Sequence, residues 1–192
     1  MRYDRTVVAY HGCDESVAER ILEGEPFRPS TNDYDWLGGG IYFWEYGAER
    51  ALEFAREQVA RGKVRHPAYV GALIQLGNCF DLLDTRFTRE LAVAYEAWTK
   101  RLQQERVSLP RNTGGTPDFK LRRLDRAVLD WHLEDVERNE GQRYDTVRCG
   151  FVEGSPVYSG SGIFTQTHIQ LTVRNPRCIL GVFRPMHAEV RP

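Results

Sequence analysis

The most regular pattern in this chain is a six-residue alternation near its carboxyl end, at His168–Val173. Successive side chains of a β-strand point to opposite faces of a sheet, so the pattern predicts a strand with two unlike faces. One face carries His168, Gln170 and Thr172, and the other face is apolar. The pattern therefore favours a sheet that is packed on one side and offers polar chemistry on the other.

The remaining segments predict a mixture of helices and strands. One predicted helix follows a cap at Asp14 and ends at Gly24. Three further predicted helices span residues 48–61, 87–106 and 120–136. Predicted strands cover residues 7–10, 40–44, 69–76 with an extension at 79–83, 168–173 and 178–183. The regular strand–helix alternation of a doubly wound parallel sheet is missing, so we predict an α+β fold with antiparallel strands. Without repeats or a Pro/Ser-rich linker, residues 1–192 are predicted to form one domain.

Composition restricts the class of protein. With 41% hydrophobic and 28% charged residues, the chain lies in the globular range. Its apolar runs fall short of the ~20 residues of a bilayer span, and its first residues lack the pattern of a secretory signal. We therefore expect a cytoplasmic protein that does not engage a membrane.

The net charge of −1 excludes a globally basic nucleic-acid-binding protein. Charge is nevertheless uneven: residues 100–126 carry an excess of five positive charges, and residues 130–140 an excess of four negative charges. The basic stretch suggests contact with nucleic acid, although a solvated helix surface also explains it.

Cysteines and histidines give little support to a metal site. The four cysteines are isolated, and the five histidines form neither an H-E-x-x-H motif nor a pair at i, i+4. We expect reduced thiols and no bound metal.

Common phosphate-binding motifs are also absent. The run Gly38–Gly40 is not followed by Gly-Lys-Ser/Thr, and no G-x-G-x-x-G opens a helix after the first predicted strand. Gly160 and Gly162 lead into a strand, which removes the helix N-terminal amides that bind phosphate. A G-x-S-x-G nucleophile motif is absent too.

Three separate segments together resemble one family. They are Tyr10-His11-Gly12, then Gly40-Ile41-Tyr42-Phe43 followed by a helix, and the late strand around Gln170. They are similar to the signature segments of ADP-ribosyltransferases of the His-Tyr-Glu type, which include poly(ADP-ribose) polymerases and diphtheria toxin. The similarity covers residues 10–12, 36–55 and 159–183, while residues 85–150 have no counterpart. The resemblance implies an ADP-ribosyltransferase-like fold, in which antiparallel sheets split around NAD as the substrate.

The resemblance also implies roles for individual residues. His11 would bind a ribose hydroxyl of the adenosine half of NAD, the Gly12 backbone would pair with the nicotinamide amide, and the Tyr42 ring would stack on nicotinamide. The family often places a second aromatic eleven residues after this tyrosine, where the chain has Glu53. The second wall is therefore expected from Phe54, Tyr46 or Trp44. Arg28 and Ser30 resemble the segment that touches adenosine.

The third signature differs from the family, because the late strand carries no glutamate. We expect Gln170 at the equivalent position, where its amide can bind the ribose 2′-hydroxyl but supplies no negative charge. Polymerase activity is therefore not expected. A carboxylate from elsewhere could replace the glutamate, and the candidates are Asp33, Asp35, Glu45 and Glu153.

The expected function is NAD-dependent mono-ADP-ribosylation of a macromolecule, either nucleic acid or protein. A bacterial-type toxin or defence effector, with an antitoxin or immunity partner, fits that activity. The alternatives are an NAD glycohydrolase and a non-catalytic module that binds NAD or ADP-ribose; RNA 2′-phosphate transfer would need Arg and His signatures that are absent. Each site residue also has a structural interpretation: a strand-end histidine for His11, a core aromatic for Tyr42, an exposed strand for His168 and Gln170, and a packing anchor for Trp36.

Overall fold

A computed structural model describes residues 2–32, 35–114 and 121–186 of the chain. The helices within these ranges are α1 (Glu15–Leu22), α2 (Ala48–Ala60), α3 (Thr85–Glu105) and α4 (Arg123–Glu140). The strands are β1 (Arg2–Asp14), β2 (Ile41–Glu45), β3 (Pro67–Asp81), β4 (Asn112–Thr113), β5 (Leu121–Arg122), β6 (Thr146–Phe151), β7 (His168–Val173) and β8 (Ile179–Phe183). A multi-stranded sheet with flanking helices confirms the predicted α+β class.

Local patterns predicted the helices closely. The cap at Asp14 is confirmed, because its carboxylate accepts hydrogen bonds from the Ser16 amide at 3.1 Å and the Ser16 hydroxyl at 2.8 Å. Its other oxygen accepts from the amides of Arg65 and His66, which joins α1 to the segment before β3. These hydrogen bonds hold the pKa of Asp14 well below its usual range. Lys120, where the fourth helix was predicted to begin, lies outside the described residues.

Six strands form a connected sheet in the order β1-β2-β7-β6-β3-β8, and β1 also pairs with β3. The pairing thus returns to β1, so that five strands close into a ring and β8 extends from β3. All pairings in this sheet are antiparallel except that of β3 with β6, which is parallel. The predicted antiparallel arrangement is wrong at that pair. Helices α3 and α4 lie between the two strands in sequence, and a connection of that length allows parallel pairing.

The predicted strand at residues 69–76 and its extension at 79–83 form one strand, β3, which ends at Asp81. Between the two predicted parts lies Gly77, whose φ of +61° is the left-handed conformation that glycine adopts easily. Near Gly77, the register of β3 with β1 shifts without ending the pairing. A bulge in a continuous strand therefore separates the two predicted parts.

Two apolar cores cover the two faces of the sheet. The first includes Val7, Phe43 and Leu171 from β1, β2 and β7. The second joins Phe80 and Phe151 of the sheet to α3 and α4. The alternation in β7 is confirmed, since Leu171 and Val173 are in the first core. No helix within the described ranges is long and apolar enough to traverse a bilayer.

Strands β1 and β2 separate shortly after they meet. They pair at Ala9 with Glu45 and at Tyr10 with Trp44. Beyond Tyr10, β1 stays with β3 as far as Asp14, whereas β2 stays with β7. The divergence opens a gap in the sheet next to His11.

Candidate functional site

A cleft of about 430 Å³ lies at this gap, within the size range of small-molecule sites. All three segments that resemble the family signatures contribute residues to the wall of this cleft. The predicted site residues that line it are His11, Gly12, Arg28, Ser30, Tyr42, Phe54 and Gln170. The structure therefore brings the predicted residues together around one cavity.

His11 spans the gap between the diverging strands. Its Nδ1 lies 2.8 Å from the carbonyl oxygen of Tyr42. Because a carbonyl only accepts, Nδ1 carries the proton and donates. Burial lowers the pKa of His11, so the ring is neutral and its Nε2 is an acceptor. A ligand hydroxyl is a suitable donor to that nitrogen.

Gly12 lines the cleft, and the packing of α2 requires glycine at this position. A Cβ at this position would lie 2.0 Å from the backbone oxygen of Ala51. The side that a larger residue would fill is thus occupied by the helix. The absence of a side chain at Gly12 therefore allows α2 to approach β1 closely.

Tyr42 offers the cleft an aromatic ring, while its hydroxyl is fixed by the backbone. The hydroxyl donates to the Gly38 carbonyl at 2.8 Å and accepts from the Leu37 amide at 3.0 Å. Burial raises the pKa of Tyr42, which excludes the phenolate at neutral pH. The side chain is therefore suited to stacking and not to proton transfer.

The second aromatic wall consists of Trp44 and Phe54. Both line the cleft, and their ring centroids lie 4.9 Å apart with a 42° tilt. Tyr46, the third candidate, is 66% exposed and lies outside the cleft lining. Of the three aromatic candidates, Trp44 and Phe54 thus line the cleft and Tyr46 does not.

Gln170 lies on β7 between Trp44 of β2 and Cys149 of β6. It is buried, and its Oε1 accepts a hydrogen bond from Trp36 Nε1. The Trp36 ring stacks on Phe151 with centroids 3.9 Å apart and planes 13° apart. Trp36 is thus the packing anchor that the sequence predicted, and it also lines the cleft beside Gln170.

Arg28 and Ser30 lie on the segment that leads to β2. The Arg28 side chain is 87% exposed and pairs with Glu25 at 3.4 Å. The Ser30 hydroxyl donates to Asp35 at 2.5 Å, and its amide donates to the Gly40 carbonyl at 2.7 Å. Ser30 therefore shapes the cleft rim chiefly through the backbone.

The candidate carboxylates differ in whether they line the cleft. Asp33 lies outside the described residues. Glu45 is buried on the face of β2 opposite Tyr42 and pairs with Arg148 at 2.5 Å, so it does not line the cleft. Asp35 lines the cleft, where its carboxylate accepts a hydrogen bond from the Ser30 hydroxyl. Glu153 is 3% exposed, lines the cleft and pairs with Arg50 at 3.3 Å.

Apart from Phe54, the sequence analysis missed the residues on and next to α2 that line the cleft. Arg50, Glu57, Gln58 and Arg61 also line the cleft. Together with Phe54 they follow the spacing i, i+4, i+7, i+8 and i+11, which gives one helix face. A polar helix face next to the second signature was the signal that would have found them.

Several charges of the basic stretch are used within the fold. Arg126 pairs with Asp130 at 2.6 Å and approaches Asp35 at 3.7 Å. The Arg122 guanidinium lies 4.1 Å from the Trp36 ring centroid. Residues 115–120 of the stretch lie outside the described residues. The nucleic-acid hypothesis thus loses part of the free charge that suggested it.

Three of the four cysteines, Cys13, Cys79 and Cys178, are buried, and Cys149 is partly exposed. Burial raises the pKa of Cys13 and of Cys79 to about 12 each, which disfavours reactive thiolates. Over the part of the chain that the structure describes, no three His, Cys, Asp or Glu side chains group as metal ligands do.

The pH dependence of stability should report on His168, which lies beside Glu153, Arg50 and Arg122. Burial lowers its pKa to about 4, so between that value and 6.5 the unfolded chain binds a proton that the folded chain does not. Stability should therefore fall as pH decreases through this window, by up to about 3 kcal/mol from this residue.

Urea unfolding of the wild type and His168→Asn between pH 4.5 and 7.5 measures this effect. The variant should show a shallower loss of stability, with residual dependence from His11. His66→Asn, at an exposed position, is the matched control. If the free energy of unfolding changes equally with pH in the wild type and in His168→Asn, the folded His168 ring binds a proton as readily as the unfolded one.

Comparisons with known proteins give a relative but no activity. No protein-family model matches the sequence, and no solved structure matches it. The uncharacterized protein MJ0359 of Methanocaldococcus jannaschii is 49% identical over 155 residues, which cover 79% of this chain and 67% of the archaeal protein. The chain belongs to the same family as this uncharacterized archaeal protein.

Proposed function

We propose that the protein is an NAD-dependent mono-ADP-ribosyltransferase. The observation that supports this most is the meeting of His11, Tyr42 and Gln170, from three distant segments, around one cleft. The order of those segments resembles that of the family in question. Chance similarity of short motifs would not require their residues to line the same cavity.

The strand arrangement also favours an ADP-ribosyltransferase-like fold. A split sheet can hold a dinucleotide where two neighbouring strands part. Here β1 and β2 part after Tyr10, and the cleft begins at His11. The ring of strands supports the rigid placement of groups from β1, β2 and β7, which a positioning mechanism needs.

The reaction breaks the bond between nicotinamide and ribose through a transition state with positive charge on the ribose, as in glycoside cleavage. The Tyr42 ring and the Trp44–Phe54 wall would hold nicotinamide. His11 Nε2 would accept from a ribose hydroxyl, and Gln170 would fix the other ribose. Because the leaving group is already cationic, positioning and electrostatics supply most of the catalysis.

NAD labelled in its adenylate part tests the proposal. Purified wild type should release nicotinamide, and His11→Ala, Tyr42→Ala and Gln170→Ala should each slow release about 10- to 100-fold. Three exposed positions outside the cleft give matched controls: His66→Ala, Tyr46→Ala and Gln104→Ala. These controls should react at the wild-type rate.

The fate of the label identifies the activity when cell extract is added. Label on protein or nucleic acid supports transfer and reports the acceptor class. Free ADP-ribose alone would indicate an NAD glycohydrolase. Binding of NAD without release of nicotinamide would indicate a binding module, and absence of binding would refute the proposal.

A further inference from the structure

Two buried polar atoms on the cleft wall have no hydrogen-bond partner among the described residues. They are Nε2 of His168 and Nε1 of Trp44. Both side chains line the cleft, and their ring centroids are 6.4 Å apart. Buried polar atoms without partners are costly, so their presence beside a cavity points to a ligand group that pairs with them.

The backbone fixes which of the two atoms donates. His168 Nδ1 lies 2.8 Å from the carbonyl oxygen of Gln166, which only accepts, so Nδ1 carries the proton. In the neutral ring Nε2 is then an acceptor, whereas the indole nitrogen of Trp44 can only donate. The pair therefore fits a ligand group that both donates and accepts.

The surroundings set the basicity of His168. Burial, and to a smaller extent the positive charges of Arg50 and Arg122, lower its pKa to about 4. The hydrogen bond to the Gln166 carbonyl opposes these effects by favouring the charged ring, and Glu153 Oε2 lies 3.9 Å from Nδ1. A ring of this basicity resembles an ordinary glutamate, whose pKa is about 4.3. It can thus accept protons where the chain lacks the family's glutamate.

We propose that His168 Nε2 accepts the proton of a hydroxyl group that attacks the ribose of NAD, while Trp44 Nε1 donates to the same oxygen. This inference rests on the proposed function. The hydroxyl oxygen forms a bond to the ribose C1 as the bond to nicotinamide breaks, and that electron pair leaves with nicotinamide. The proton moves to Nε2 and is later released to water.

The chemistry of the pair favours a hydroxyl over other nucleophiles. A guanidinium or ammonium group supplies only donors, so it would leave the Trp44 N–H unpaired and would face Arg50. An amide could pair with both atoms, but its nitrogen lone pair is delocalised and weakly nucleophilic. A hydroxyl of a macromolecule and a water molecule share the required chemistry.

Aromatic rings enclose His168 in the cleft wall. Three rings surround His168: those of Trp36, Trp44 and Phe151, at centroid distances of 6.4, 6.4 and 5.7 Å. Of these, only Trp36 is partly exposed. Its indole also donates to Gln170. Trp36 is therefore the partly exposed neighbour of both His168 and Gln170.

Single-turnover release of nicotinamide by His168→Asn tests the assignment, with His66→Asn as the control. Loss of a general base should slow release about 100-fold while the Kd for NAD changes less than about threefold. Azide is already an anion and needs no base. It should therefore restore nicotinamide release in His168→Asn, with ADP-ribosyl azide as product, but not in Tyr42→Ala.

The outcomes separate the two proposals. A wild type that releases no nicotinamide overturns both. Full activity of His168→Asn, or a loss that azide does not restore, overturns only the role of His168. If His168→Asn does not bind NAD, His168→Gln replaces it, and loss of binding in both variants also overturns that role.

The product identifies the source of the hydroxyl. Label on a macromolecule supports an acceptor hydroxyl, and free ADP-ribose supports water. Agmatine is the guanidinium probe for the alternative nucleophile. Labelled agmatine would contradict the hydroxyl assignment while leaving ADP-ribosyl transfer intact.

Discussion

Replacement of Arg148 by alanine is expected to destabilise the folded protein by about 3–5 kcal/mol. The Arg148 guanidinium donates to Glu45 at 2.5 and 2.9 Å and to Asp81 at 3.1 and 3.3 Å. All three side chains are buried, so the variant leaves two carboxylates in the interior without their shared cation. Arg5, 3.6 Å from Glu45 and half-exposed, is only a partial substitute.

Urea unfolding at pH 7 measures the effect, and Arg101→Ala is the matched control. Arg101 pairs with Glu105 at 2.8 Å, but both side chains are about half-exposed. Exposed ion pairs contribute little, so this variant should unfold near the wild-type midpoint. Similar losses in Arg148→Ala and Arg101→Ala would mean that water reaches the Glu45 and Asp81 carboxylates.

Sequence patterns predicted elements whose signals are local. Asp14 and Gly24 bracket α1, and the spacing after Gly47 predicted α2. The alternation of β7 placed His168 and Gln170 on the polar face, where the structure has both on the cleft wall. In each case neighbouring residues determine the structure, so a short window of sequence contains the information.

Long-range pairing has no comparable local signal. The parallel β3–β6 pair depends on how α3 and α4 return the chain, which no single segment specifies. The Arg148 network likewise joins β2, β3 and β6, distant in sequence. Glu45 is different, because alternation along β2 already places it opposite Tyr42 and Trp44. Its exclusion from the cleft was therefore predictable from the strand period.

Replacement of Gln170 by glutamate is expected to raise the rate of nicotinamide release about 10- to 100-fold, if the ribose of NAD lies beside this side chain as proposed. A carboxylate there would stabilise positive charge on the ribose, which an amide does not. The introduced carboxyl would still accept from Trp36 Nε1, since Gln170 already accepts there. Its burial should raise its pKa, so the gain should increase with pH as the group ionises.

Gln58→Glu is the matched control, because Gln58 is a buried glutamine of the same cleft that lies on α2. It adds the same charge at a different wall, so it should leave the rate of nicotinamide release near that of the wild type. If both variants accelerate nicotinamide release equally, the gain comes from negative charge anywhere in the cleft and not from a carboxylate at position 170. If Gln170→Glu binds NAD but releases nicotinamide no faster than the wild type, the reacting ribose lies away from β7. The segment around Gln170 then has a structural role and no role in the reaction.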